Sequence, residues 1–258
     1  MIESILPQAS SFAGDIDFLI GLIAVIVLLW FFAAQGLFFY FILKFRAKPG
    51  VRAVDMDGYN PEHKKWVTWP HNLVLICDVV ILIFAVRVWN HVKLDLPTNA
   101  QGETKAPTLR IIGQRWAWSF QYAGADGTLD TSDDLYTGED LYVKQGEEIV
   151  FIGTSRDVLH SFSVPAFRLK QDVIPGRDGL GWFKAERAGT YDIQCTEICG
   201  IGHGVMFARI HVLEPAAYDA WAAAAPKGQA ASTSASVAAT PAAAPMLAPL
   251  PPSPAVTP

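Results

Sequence analysis

The chain has 258 residues, 51% of them apolar and only 17% charged, with a mean hydropathy of +0.25 and a net charge of −5. A soluble domain carries roughly a quarter charged residues, so part of this chain is built for a non-aqueous setting. Its 25 acids and 20 Lys and Arg nevertheless exclude a wholly embedded protein, the acidic balance excludes a basic nucleic-acid binder, and three cysteines are too few for a disulfide scaffold.

From Phe18 to Leu43 there are 26 consecutive uncharged residues, long enough to span a bilayer with some tilt. A signal peptide wants a basic start and a shorter apolar core, whereas only acids (Glu3, Asp15, Asp17) precede this run. A second apolar segment runs from Trp66 to Trp89, with tryptophans near its ends where interfacial aromatics belong. Asp78 sits near its middle, where an acid is costly and faces protein or a pathway. The loop between the two carries Lys44, Arg46, Lys48, Arg52, Lys64 and Lys65, which places it in the cytoplasm and both termini outside. Residues 1–93 therefore read as a membrane hairpin with spans at 18–43 and 66–89.

Residues 94–222 read as a soluble domain on the outer face. Short alternating runs at Leu109–Ile112, Trp116–Phe120, Leu141–Val143, Ile149–Ile152, Tyr191–Ile193 and Phe207–Val212 are broken by turn residues, the pattern of an all-β sandwich or barrel. Tyr218–Trp221 closes a short helix. Residues 223–258 are almost wholly Ala, Pro, Ser and Thr, too poor in large apolar groups to offset their ordering entropy, and read as a disordered tail.

The chemistry concentrates in C-T-E-I-C-G-I-G-H-G-V-M, Cys195 to Met206. Thiolate, imidazole and thioether in one loop favour copper over hard cations. A mononuclear blue-copper site uses one Cys, two His and a weak axial Met, so this loop has one thiolate too many and one imidazole too few. Two copper ions bridged by Cys195 and Cys199 would solve this, with His203 on one ion and His160, in D-V-L-H-S-F, as the best candidate for the other. Met206 would be a weak axial ligand, and the Glu197 carbonyl would complete the second ion. A disulfide and a structural Cys2His2 zinc site are the rival readings of the same residues. Cys77 reads as a buried apolar residue, and His63, His71, His91 and His211 as ordinary histidines.

At this point the hairpin and the ligand loop together resemble subunit II of the haem–copper cytochrome c oxidases over about residues 15–222. D-V-L-H-S-F (157–162), K-Q-D-V-I-P-G-R (170–177) and R-W-A-W-S-F (115–120) strengthen the resemblance. It implies a cupredoxin-like barrel after the transmembrane hairpin, and a binuclear copper A centre held by His160, Cys195, Glu197, Cys199, His203 and Met206. It also implies magnesium held by Glu197 at the subunit I interface, and haem only in the partner subunit. The 170–177 segment would lie against the catalytic subunit. Subunits I and III, cytochrome c and the bilayer are the implied partners, in a bacterial inner membrane with the copper domain on the periplasmic side. The implied function is transfer of electrons from cytochrome c through copper A to subunit I, where oxygen is reduced to water and protons are pumped.

The resemblance makes Trp116 the point where electrons enter, while Trp118 reads as core. Asp126, Asp130, Asp133, Asp134, Glu139 and Asp140 lie in a stretch without Lys or Arg, read as an acidic surface beside Trp116 that steers a basic cytochrome c. A solvated loop and a calcium loop are the alternatives, although the spacing is not that of an EF-hand. The family's glutamate ahead of the second span is replaced here by His63. A copper-free quinol-oxidase relative, a copper-delivery protein and a nitrous-oxide-reductase-type copper domain fit the sequence less well, for want of a lost ligand, a Met/His-rich stretch and an extra domain respectively.

Overall fold

The structure, a computed structural model, describes residues 5–52, 59–138 and 140–225. Helix α1 covers Ala13–Lys44 and α2 covers Pro61–Trp89, each a little longer than the apolar run that predicts it. Asn60 starts α2 by accepting the Glu62 amide at 2.9 Å, and Pro61 takes the first helical position, where no amide is needed. Both helices are long and apolar enough to cross a membrane. They pack on each other through Cys77, Ile81, Phe84, Ala85 and Val88 of α2, with Phe84 edge-on to Phe18 at 5.5 Å. Asp78 is exposed, and an acid facing lipid at the centre of a span costs about 3 kcal/mol.

The β domain contains β1 (Leu109–Gln114), β2 (Ala117–Tyr122), β3 (Leu135–Gly138), β4 (Asp140–Lys144) and β5 (Glu148–Ser155). It continues with β6 (His160–Val164), β7 (Leu169–Val173), β8 (Gly179–Lys184), β9 (Gly189–Cys195) and β10 (Phe207–Leu213), and α3 (Pro215–Ala224) follows. Two five-stranded sheets result, ordered β3-β2-β1-β5-β8 and β4-β10-β9-β6-β7. The cupredoxin-like fold is therefore two facing sheets, each with one parallel pair, β1 with β5 and β4 with β10. Alternation along the strands sends Ile111, Trp118, Phe120, Phe151, Phe162, Phe183 and Ile193 inward, each fully buried or nearly so. Burying side chains of this size contributes about 1.5–3 kcal/mol apiece. Helix α3 includes residues 223–224, assigned from sequence to the tail; the expected disorder of residues 226–258 concerns positions outside the described residues.

A seam joins the two parts divided at residue 94. The segment ahead of α1 is part of the β domain: Ala9 and Phe12 are buried in its core, and Ser10 bridges Ala185 in antiparallel fashion. Phe12 meets Trp182 edge-on at 5.5 Å, and the Trp182 indole donates to the Val92 carbonyl just past α2 at 3.0 Å. Arg168 locks this seam. Its guanidinium donates to both Asp17 oxygens (2.7 and 2.8 Å) and to the carbonyls of Leu6, Pro7 and Pro165. The two side chains are only 7% and 8% exposed. Arg168 adopts a left-handed backbone (φ 56°), which costs a non-glycine residue about 1 kcal/mol and is offset by that fan of bonds.

Replacing Arg168 with Gln leaves Asp17 buried without its cation. The expected result is a loss of about 3 kcal/mol from the β domain, read as a lowered melting temperature, with faster proteolysis between residues 5 and 11. A variant that melts and digests like the parent would show that the seam does not depend on Arg168.

Candidate metal centre

Strands β9 and β10 are antiparallel partners, so the loop between them, residues 196–206, returns on itself at one end of the sandwich. Strand β6 pairs with β9 at Phe162↔Cys195 and carries His160 to the same end. The structure thus brings together residues far apart in sequence. Cys195 Sγ lies 3.8 Å from Cys199 Sγ and 3.9 Å from His160 Nδ1. Cys199 Sγ lies 3.6 Å from His203 Nδ1 and 3.9 Å from Met206 Sδ, and the Glu197 carbonyl is 3.3 Å from Cys195 Sγ. Among the described residues, His160, Cys195 and Cys199 form the one tight cluster of metal-ligating His, Cys or carboxylate side chains.

The sulfurs are far beyond the about 2.05 Å of a disulfide, and both thiols are free. Burial, and then the adjacent Cys195 sulfur, push the Cys199 thiol up to about 11. Protons therefore occupy this pocket until a cation displaces them. Two soft sulfurs, two imidazole nitrogens, a thioether and a carbonyl within contact of one another suit copper better than a hard ion. A single zinc would use the thiols and imidazoles but leave Met206, which is buried against Cys199, without a role.

The surroundings fix these donors. Asp157, the first residue of D-V-L-H-S-F, lies 2.9 Å from His160 Nε2, and so turns Nδ1 toward the sulfurs. Burial works against ionisation of Asp157. Bonds from His160, from the Arg115 and Val158 amides and from the Arg115 side chain outweigh it and hold the carboxyl well below the usual carboxylate range. Gly113 leaves room for the imidazole: a Cβ there would sit 3.1 Å from His160 Cδ2. Sequence reasoning missed the roles of Asp157 and Gly113, though the i,i+3 spacing of an acid and a histidine was a signal for the first.

Trp116 sits in the turn between β1 and β2, outside the strand predicted to begin with it, and is 41% exposed. Its indole lies flat against the ligand loop, so close that a Cβ on Gly202 would come within 2.4 Å of it. Ile201, between the two glycines that meet the indole, is 98% exposed, and Val205 and Phe207 further along the chain are exposed as well. Trp118 is buried edge-on to His160 and Phe162, as the core reading requires.

The first part of the acidic stretch does not flank Trp116. Residues 123–134 follow the far end of β2, about 20 Å away along six residues of strand. Its acids are also engaged internally. Asp134 is wholly buried, accepting the Gln121 amide at 2.6 Å and the Asp130 backbone amide at 2.7 Å. Arg110 grips Asp130 through both oxygens, at 2.6 and 2.9 Å, and holds its carboxyl below the usual range. Asp133 accepts from Thr131 and from the Ala125 and Asp126 amides. These oxygens serve to fold a loop, while the Asp126 and Asp130 side chains stay exposed at its surface. Asp126 caps Thr128 within the same turn, Asp140 lies 3.6 Å from His211 Nε2 on the outer sheet, and Glu139 falls outside the described residues.

The chain is similar to several known proteins. The family profile described as cytochrome c oxidase subunit II, periplasmic domain, matches residues 107–213. The alternative cytochrome c oxidase subunit 2 of Bradyrhizobium diazoefficiens is 33% identical over 204 residues, covering 70% of this chain and 70% of that one. Cytochrome c oxidase subunit 2 of Cereibacter sphaeroides is 28% identical over 246 residues, covering 83% and 77%. Among solved structures, the periplasmic domain of cytochrome oxidase subunit II of Bradyrhizobium japonicum is 27% identical and covers 50% of this chain and 94% of that chain, with a TM-score of 0.42.

Replacing Asp157 with Ala frees the His160 ring while leaving all the sulfur donors in place. Affinity for copper should fall about 10- to 100-fold, the usual effect of losing such a carboxylate partner. Competitive titration against a chelator of known strength measures this, and an unaltered affinity would remove Asp157 from the site.

Proposed function

Because the chain belongs to the cytochrome c oxidase subunit II family, we propose that it takes electrons from reduced cytochrome c at a binuclear copper A centre and passes them to haem in subunit I, where oxygen is reduced to water. The observation that carries this reading is the convergence of two unbonded thiols, two imidazoles, a thioether and a carbonyl in one pocket. When bound, the copper pair supplies a one-electron relay whose charge is spread over both ions.

The chain's own residues would serve that relay in distinct ways. His160, Cys195, the Glu197 carbonyl, Cys199, His203 and Met206 would hold the copper pair. Burial of Cys195, Cys199, His160 and Met206 excludes water, so little solvent has to reorganise when charge moves. The β6, β9 and β10 backbones hold the ligands in place through the same change. Trp116, partly exposed and pressed on the ligand loop, offers an aromatic bridge from the surface. On another side of the centre, His160 pairs across the sheet with Val173, within the 170–177 segment, which gives electrons a short way out toward subunit I. The Glu197 side chain, half-exposed beside the centre, is the candidate magnesium ligand at that interface.

Docking of cytochrome c would rest on the exposed Trp116 and Ile201, which sit side by side, more than on the acidic loop. In this reading the hairpin lies in a bacterial inner membrane, with residues 94–222 and both termini on the periplasmic side, and subunit III joins the complex. The copper-free quinol-oxidase alternative has no observation in its favour, since every donor is present.

Copper loaded into the full-length chain should give an EPR signal split by two equivalent copper nuclei. A signal split by one nucleus, or preferential filling with zinc, would sink the dicopper reading. In the complete oxidase, Trp116→Phe should slow electron uptake from cytochrome c by on the order of tenfold with the copper spectrum unchanged. Neutralising Asp130 and Asp133 should leave that rate and its salt dependence as they were.

A further inference from the structure

Asp78 has no part in the function above, and its position asks for a partner. It lies midway along the second span, between Trp66 and Trp89. The face of α2 that meets α1 is built from Cys77, Ile81, Phe84, Ala85 and Val88, and Asp78 lies about 100° further round the helix, exposed. His71 and Lys64 precede it at seven-residue intervals, both exposed. Seven residues fall about 20° short of two turns, so Lys64, His71 and Asp78 line one flank from the helix start to the bilayer centre. The opposite flank carries Leu73, Ile76, Val80 and Ile83, all exposed and apolar, and becomes charged only at Arg87, two residues before the helix ends. Among the described residues neither Asp78 nor His71 has a hydrogen-bond or ion-pair partner, and α1 has no charge between Phe18 and Leu43 to supply one. Lipid supplies none either.

We propose that the Lys64–His71–Asp78 flank seats this chain against a transmembrane helix of the catalytic oxidase subunit, and that this helix presents a neutral hydrogen-bond donor to Asp78. The apolar flank then faces lipid. The two basic groups on the same flank disfavour a cation opposite, which is why the donor is neutral. The inference rests on the family membership and the membrane spans, and is independent of what fills the metal centre.

The test uses the complete oxidase in membranes. Asp78→Asn keeps a polar acceptor of the same shape, whereas Asp78→Leu removes it and suits lipid better. Asp78→Asn should keep the wild-type ratio of catalytic subunit after detergent extraction. Asp78→Leu should lose about three- to thirtyfold of it, as loss of one interhelical hydrogen bond predicts, while the chain stays in the membrane and its copper absorbance is retained. Benzoylphenylalanine placed at Leu82, on the same flank, should cross-link to the catalytic subunit, and at Ile83 it should not. Full retention of the subunit by Asp78→Leu, equal loss from both variants, or cross-linking at Ile83 in place of Leu82 overturns the proposal. A defective copper spectrum with normal assembly would count against the electron-transfer reading alone.

Discussion

The short pairing of β6 with β9, Phe162 opposite Cys195 and Ser163 opposite Gln194, is the constraint on which the centre depends. It joins a histidine and a cysteine 35 positions apart and sets them within contact of each other. Side chains alternate along a strand, so a slip of one residue would turn His160 to the other face of the sheet and leave the ligand loop one imidazole short. The hydrophobic pattern guards against that slip. Phe162, Val164 and Ile193 all face the core, and moving them outward would expose several large side chains at once. The packing energy of the sandwich therefore serves the metal site by holding its register.

A second constraint ties the site to the membrane. The segment before α1 completes one edge of the β domain, and the stretch just past α2 accepts the Trp182 indole. Both ends of the hairpin are thereby fastened to the domain, by apolar burial of Phe12 and by the enclosed Arg168–Asp17 pair. A loosely tethered domain would wander over a range of distances from its partner, and electron transfer falls steeply with distance. In the proposed role, a rigid seam would hold the centre at one distance from the hairpin.

Ligand identity was legible in the sequence because the donors Cys195, Cys199, His203 and Met206 lie in one loop, where spacing alone limits the geometry. His160 was nameable as well, as the histidine of D-V-L-H-S-F shortly after the Ile149–Ile152 run. The support around it was less visible. Gly113 and Gly202 matter because of what presses on them, a histidine ring and an indole, and a glycine carries no mark of its neighbours. The acidic stretch was only partly legible for a related reason. A run of aspartates reads only as a charged surface, and the backbone adds that Asp130, Asp133 and Asp134 also brace their own loop, with Arg110 reaching across from β1.

By itself the amino-acid order determined the two apolar spans, the change to strand periodicity after them and the soft-donor loop, because each is a local property of composition and spacing. Which end of the sandwich a residue occupies was decided only by the tertiary structure. Trp116 and Asp126 are ten positions apart, yet a strand lies between them and carries them to opposite ends of the domain. The enclosure of the N-terminal segment was decided there too, since Phe12 reads as the edge of a membrane helix until Trp182 and the two sheets are in place around it. Chain order sets which groups are available, and long-range strand pairing sets which of them meet.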